Sequence, residues 1–307
     1  MHGYIINGIF PRDEDLIRAT REFDRGRCTA EHVYSLQERE RKLLFSLQKD
    51  AAFISDGLLN WQDLLRPFSE ILTGARVDGL VRFFETNTFY RRLYFEGNVK
   101  ILEGELTQWR RQYFFDEGNE GKMMRVLPSP SLFVRFSEGI SLEKSAGLLA
   151  EITNFLSDEA CGAILFEEPF LTDEPLEHEK TLKKFYEGIR DIQCKIILHT
   201  YFGNIAERLN FYLSLPIDAL GIDFYRTPIE ALDGIRFPEH MALLAGVVNT
   251  ENTLIEKPDD IREFIERVGN MILPAGIIVS GNADFQFLPY EVALKKVDVL
   301  KSVESVK

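Results

Sequence analysis

Short apolar runs recur along the chain, each closed by a polar residue or by Gly or Pro. They lie at residues 4–7, 52–56, 124–128, 162–166, 195–198, 219–222, 242–248 and 276–279. The runs are nearly continuous in apolar residues rather than alternating, which predicts strands buried on both faces and so a parallel sheet. Between them, apolar positions return at helical spacing over residues 142–155, 181–192, 205–215, 259–271 and 288–303. Ser141 is placed to cap the first of these helices, and Pro258 and Pro289 stand at the entries of the last two. Eight strands alternating with helices over 307 residues predict one α/β domain, 1–307, folded as a (β/α)8 TIM barrel. A doubly wound sheet is the alternative, but no G-x-G-x-x-G follows the first run. Residues 57–123 are too long for a single βα connection. They carry Phe83-Phe84, Phe89-Tyr90, Tyr94-Phe95 and Tyr113-Phe114-Phe115. They predict an aromatic-rich helical excursion between strands two and three, either covering the barrel mouth or packed onto the barrel.

Charge narrows the partners. Lys and Arg number 36 against 49 Asp and Glu, a net −13, which a phosphate backbone repels. The short basic clusters Arg91-Arg92 and Arg110-Arg111 stand beside carboxylates and read as solvated helix faces. Cys28, Cys161 and Cys194 form no CxxC, so neither a disulfide framework nor a structural zinc site is expected, and a reducing cytoplasm suits them. The first residues have no signal-peptide pattern and no run nears the ~18 apolar residues of a membrane span. The expectation is a cytoplasmic protein with neither nucleic acid nor membrane as partner.

In a barrel, chemistry sits at the carboxyl ends of the strands. Asp56, Glu167, Glu168, His199, Asp223, Asn249, Asn282 and Asp284 fall there. Each alone has a plain structural explanation as a cap or a hydrogen-bonded core residue; their convergence on one rim makes the set a candidate site. Arg12 is the one cation at the end of the first strand, suited to an anionic ligand group or to a salt bridge with Asp13 or Glu14. One imidazole and no thiolate at the rim disfavour zinc, because Cys161 and Cys194 precede their strands and belong at the opposite face. P-loop, G-x-S-x-G and H-E-x-x-H motifs are absent from the sequence, so no catalytic residue is assigned.

These residues resemble a known family, the cobalamin-independent methionine synthases. Gly8-Ile9-Phe10-Pro11-Arg12, with Leu16-Ile17-Arg18-Ala19 and Phe23-Asp24-Arg25-Gly26-Arg27 after it, is similar to the family's G-F-P-R opening. Glu85-Thr86-Asn87-Thr88-Phe89-Tyr90 is similar to its D-T-N-Y-H-Y segment. Phe166-Glu167-Glu168-Pro169-Phe170-Leu171 is similar to its D-E-P-A-L strand end. Thr200-Tyr201-Phe202-Gly203, the stretch 215–223 and Leu244-Ala245-Gly246-Val247-Val248-Asn249 follow its amino-terminal barrel in order. Carried over from the zinc-bearing carboxy-terminal barrel, the histidine ligand falls on His199, the first cysteine on Tyr201, the glutamate on Asp223 and the loop cysteine near Asn282. Both thiolates are replaced.

The resemblance therefore implies the non-zinc barrel as a separate polypeptide. It would serve methyl transfer to homocysteine with a zinc-bearing methionine-synthase barrel as partner. It would carry no zinc of its own and take a methyl-pterin or methyl-corrinoid as the small-molecule donor. Arg12, Asp56, Asn87, Glu167, Glu168, His199, Asp223 and Asn282 would line the substrate site, and residues 83–95 would face the partner. A stand-alone methyltransferase-like barrel and a non-catalytic scaffold are the alternatives. Glu14 and Asp15 occupy the stretch where the family has basic residues for a folate polyglutamate tail, which turns the expectation away from long-tailed folates.

Overall fold

The computed structural model describes residues 2–116, 118–119, 121–169 and 176–304. In chain order the first half holds β1 (His2–Tyr4), α1 (Glu14–Asp24), α2 (Ala30–Leu47), β2 (Ala75–Arg82), β3 (Phe89–Phe95), α3 (Glu103–Tyr113), β4 (Met123–Pro128), α4 (Pro130–Arg135) and β5 (Ser137–Glu138). Then follow α5 (Leu142–Leu156), β6 (Cys161–Pro169), α6 (Leu176–Ile189), β7 (Lys195–Tyr201), α7 (Leu209–Leu213), β8 (Ala219–Asp223), β9 (Ala242–Val248), α8 (Pro258–Ile272), β10 (Ile277–Gly281) and α9 (Tyr290–Glu304). Caps set the helix starts: Asp13, Thr29, Ser129 and Ser141 each accept a backbone N–H of the first turn.

Seven strands pair in parallel in the order β1-β10-β9-β8-β7-β6-β4. Their continuous apolar runs are buried on both faces: every residue of β4, β8 and β9 is buried. The eighth strand expected at 52–56 is reduced to one parallel bridge, Ile54 to Met123. Even so, it lies between the two edges of the sheet. Ala52 N donates to Tyr4 O, Ile54 N to Lys122 O and Met124 N to Ile54 O. Gly57 and Leu58, both at positive φ, turn the chain away immediately afterwards and end the pairing.

The excursion between these positions is not helical throughout, as was expected. Its centre is the antiparallel hairpin β2–β3, with β5 added in parallel at one edge, and only α3 and a short 3-10 turn at Arg66–Glu70 are helical. Arg91 and Arg92 therefore sit on a strand, and Arg92 pairs with Glu138. Arg110 is no solvated-face residue either. With buried Arg125 it joins Asp116 and Asp158 in an ion-pair network beneath α5. The helix expected at 205–215 is broken into a 3-10 turn, Ala206–Arg208, and the five-residue α7.

Where the chain leaves β1, Gly8 (φ +66°) brings its backbone against the carboxyl group of buried Asp284. A Cβ there would stand 2.2 Å from Asp284 Cγ. Asp284 cannot retreat, because its Oδ2 accepts from Gln286 Nε2 at 2.8 Å and from Ile9 N at 3.4 Å. Gly8→Ala is expected to cost about 2 kcal/mol or more of unfolding free energy in urea titrations. A loss below about 0.5 kcal/mol, the range of an ordinary surface substitution, would contradict this packing.

Candidate functional site

Strand register places the interior residues. Glu167 of β6 lies opposite His199 of β7, and the two side chains meet at 3.1 Å, His199 Nδ1 to Glu167 Oε2. Both are fully buried. Burial pushes the Glu167 carboxyl up to about 8 and the His199 imidazole down to about 4, so at neutral pH this is a hydrogen bond between two uncharged groups. Asp284 stands beside them, held well above the usual carboxylate range first by burial and then by Glu167. The His199 ring stacks on Tyr201 with centroids 5.0 Å apart.

Because successive residues of a strand point to opposite faces, Glu168 departs from this group. It lies buried on the helix side of β6, near enough to Tyr186 and Tyr212 to raise their pKa values. Asp56 likewise serves the fold. Its carboxylate accepts Leu58 N at 3.0 Å and Phe115 N at 3.2 Å, shaping the turn after the bridge at Ile54, and burial lifts it to about 6. Phe170 and Leu171, the end of the Glu167-Glu168 motif, lie outside the described residues.

Asp223 and Asn282 form a positioning knot. The Asn282 amide donates to Asp223 Oδ1 at 3.3 Å and to Glu251 Oε2 at 3.2 Å, while its oxygen accepts Thr250 N at 2.8 Å. Asp223, lifted to about 6 by burial, accepts Tyr225 N at 2.9 Å and Phe202 N at 3.2 Å. The last bond holds Phe202 at φ +64°, a left-handed conformation costly for an aromatic residue. Across from it Phe84, before the hairpin tip, is held at φ +49°, and the two rings lie 5.7 Å apart.

These two strained rings wall a cavity of about 630 Å3 over the strand ends, within the range of small-molecule sites. Its other walls are Phe287, Gln286, Arg135, the ion pair of Arg226 with Glu251, and the tip residues Glu85 to Thr88, Asn87 among them. Gln286 connects the cavity to the interior, donating to Tyr90 Oη at 3.0 Å as well as to Asp284. Of the eight residues expected to form the site, Asn87 alone lines this cavity. Glu167, His199, Asp223 and Asn282 lie beneath it or in its supports. Arg12 lines a neighbouring depression with Asp13, Glu14, Asp15 and Glu291. Of the carboxylates offered as an alternative partner for Arg12, Asp13 instead caps α1 and pairs with Arg39. Phe84, Phe202, Arg226 and Gln286 were missed as site residues. Phe202 was within reach of the sequence, because it stands inside Thr200-Tyr201-Phe202-Gly203.

The donor set does not fit zinc. His199 is the one imidazole of the group, the Asp223 carboxylate is taken up by three N–H groups, and Tyr201 and Asn282 supply no thiolate. Among the described residues no three His, Cys, Asp or Glu side chains gather so as to hold a metal ion. Among the described residues no helix is long and apolar enough to cross a membrane.

A parallel sheet layered with helices, with a cavity at the carboxyl ends of its strands, places the chain in the α/β class. Within that class the chain belongs to the family of the cobalamin-independent synthase N-terminal domain, whose model matches residues 80–272. A 5-methyltetrahydropteroyltriglutamate–homocysteine methyltransferase of Neisseria meningitidis serogroup C is 34% identical over 135 residues, 43% of this chain and 17% of that protein. The enzyme of the same name from Actinobacillus pleuropneumoniae serotype 5b is 26% identical over 252 residues, 70% of this chain and 32% of that one. The chain thus spans under a third of the length of these curated relatives. The solved structure of a B12-independent methionine synthase from Shewanella sp. W3-18-1, in complex with selenomethionine, superposes with TM-score 0.71 at 16% identity. The match covers 99% of this chain and 97% of that one. A putative vitamin-B12-independent methionine synthase from Listeria monocytogenes gives 0.67 at 16% identity, over 98% and 96%.

The neutral interior fixes a pH dependence of stability. Folded Glu167 keeps its proton to about 8, whereas its ordinary value is 4.5. Between these values the folded state binds the extra proton and stability falls as pH rises. His199, depressed from 6.5 to about 4, contributes stability that is present above 6.5 and lost as pH falls through 4, so it does not act in the upper window. From pH 6.5 to 8 the Glu167 contribution is expected to fall by about 2 kcal/mol, while the Cys194 thiol, brought down to about 7, acts in the opposite direction in both proteins. In urea titrations at the two pH values the wild-type chain should therefore lose about 2 kcal/mol more than Glu167→Gln. Equal slopes in the two proteins would show Glu167 to be ionised in the fold.

Proposed function

We propose that this chain is the non-zinc half of a methionine synthase. In this reading it binds the methyl donor in the cavity under the hairpin tip and presents it to a separate zinc-bearing barrel that activates homocysteine. The observation that carries the reading is the pair of aromatic residues, Phe84 and Phe202, held at positive φ to wall one cavity. Such strain persists where the surroundings enforce it and clusters at ligand sites. Family membership and the curated relatives' names, which specify methyl transfer from a methyl-tetrahydropteroyl donor to homocysteine, supply the chemistry.

A cavity of about 630 Å3 with aromatic walls has room for the flat ring of a methyl-pterin, the donor we favour over a methyl-corrinoid. The pterin ring would lie among Phe84, Phe202 and Phe287, with its amide and amine edges toward Asn87 and Gln286. Arg135, whose guanidinium stands 5.2 Å from the Phe84 ring centre, braces that ring at the cavity wall. Glu14, Asp15 and Glu291 crowd the neighbouring depression around Arg12 and would repel further glutamates, so the favoured donor has a short tail. No residue of this chain makes or breaks the methyl bond in this reading; its residues bind and orient. The site is proposed to work in the cytoplasm, against the face formed by residues 83–95.

The test is methyl transfer to homocysteine, measured for the chain alone, for a zinc-bearing barrel with the H-x-C and P-D-C-G ligand pattern, and for the two together. Methionine should form at a useful rate only in the mixture. Asn87→Ala should raise the donor KM about tenfold there, the effect of losing roughly 1.4 kcal/mol of binding. Robust transfer by the chain alone would favour the stand-alone enzyme. A mixture indifferent to Asn87→Ala and Phe202→Ala would favour the scaffold.

A further inference from the structure

At the opposite end of the sheet lie two thiols that the cavity does not use. Cys161 opens β6 and Cys194 immediately precedes β7, and these strands are hydrogen-bonded neighbours with Ala163 opposite Lys195. Both residues are buried and neither is in a disulfide. The two turns that carry them are stitched together by Ser157, whose Oγ accepts Gln193 N at 3.0 Å and the Cys194 thiol at 3.5 Å. Cys161 N donates to Asp158 O at 2.9 Å in the same turn. The register carries Gly162 opposite Cys194 and leaves Cys161 one residue along. With strands about 4.8 Å apart and a rise of about 3.3 Å per residue, the two Cα atoms stand about 6 Å apart, inside the separation that a disulfide spans.

We propose that Cys161 and Cys194 are a redox-active pair, which a peroxide closes into a disulfide joining the starts of β6 and β7.

The roles of the two sulfurs differ. Cys194 is the nucleophile: contact with the Cys161 thiol, with help from Ser157 and from the charge of Arg125, brings it down to about 7. The Cys161 thiol donates to Ala163 O at 3.4 Å, and its ionisation is pushed up, first by the contact with Cys194 and then by burial. The Cys194 thiolate attacks one peroxide oxygen, the O–O bond breaks, and the released hydroxide takes a proton to become water. The sulfenic acid left on Cys194 is then attacked by the Cys161 sulfur. The S–S bond forms, the S–O bond breaks, and the Cys161 proton leaves with the hydroxyl group as a second water. Two thiols lose two electrons and one peroxide becomes two waters. Cys28, partly exposed at the start of α2 and remote in sequence, resolves neither intermediate.

The reduced chain should be treated with hydrogen peroxide near neutral pH, alkylated, digested without reductant and mapped by mass spectrometry. The expected product is a linked pair of peptides containing Cys161 and Cys194, lighter by two hydrogens than their sum and released by dithiothreitol. Thiol titration of the chain unfolded in denaturant after the treatment should fall from three to one, and Cys28→Ser should keep the linked peptide. Cys161→Ser should instead accumulate oxygen on Cys194. Oxygen added to Cys194 of the wild-type chain without a link, or a link that includes Cys28, would overturn the proposal. So would a thiol count that stays at three while Cys28 alone reacts on longer exposure. The wild-type map decides the matter even if a serine variant fails to fold.

Discussion

The arrangement depends on the aromatic packing that seats the β2–β3 hairpin on the carboxyl ends of the parallel strands. Phe83, fully buried just after β2, stacks on Tyr90 at 4.1 Å and stands against Phe136, Phe202 and Phe287 at 5.3–6.2 Å. Such pairs add to the burial of their area, and truncating one ring of this kind costs about 3–5 kcal/mol. The packing has two consequences. It keeps water from Glu167, His199 and Asp284, which is why burial is the leading cause of every one of their pKa shifts. It also leaves, between the hairpin tip and the strand ends, the cavity walled by Phe84 and Phe202.

The interior polar group and the cavity are linked through one side chain. Gln286 lines the cavity, donates to Asp284 and touches Tyr90. Asp284 is in turn adjacent to Glu167 and to the closely packed Gly8. The family's G-F-P-R stretch and its strand-end acids therefore meet in space although they lie nearly the whole chain apart. A neutral imidazole bonded to a neutral carboxyl avoids burying a charge beneath the cavity and so makes a stable floor.

Much of this was legible in the sequence because the parallel strands are buried on both faces. Unbroken apolar runs such as Ala242–Val248 can hardly be anything else. The second strand was legible as an apolar run but not as a single bridge, because its pairing ends through the positive φ at Gly57 and Leu58, a property of backbone geometry. The hairpin was read as helical because its faces do not alternate cleanly: β2 is largely exposed and carries a bulge beyond Asp78, so its period-2 signal is weak. At the site, residue type pointed to Glu167, His199, Asp223 and Asn282, but strand alternation sent Glu168 to the other face, and the Asx turn at Asp56 used up its carboxylate. The cavity walls were hidden for a different reason. Aromatic residues read as core, and what sets Phe84 and Phe202 apart is a strained backbone that no side-chain pattern records.

The central claim, that the methyl donor binds on this chain, is tested most directly by calorimetric titration of the isolated chain with a methyl-tetrahydropterin bearing one glutamate. The account expects saturable binding at one site per chain, weakened at least tenfold by Phe202→Ala in a chain whose circular dichroism is unchanged. No saturable binding at millimolar donor, or equal binding by the wild-type and Phe202→Ala chains, would contradict it.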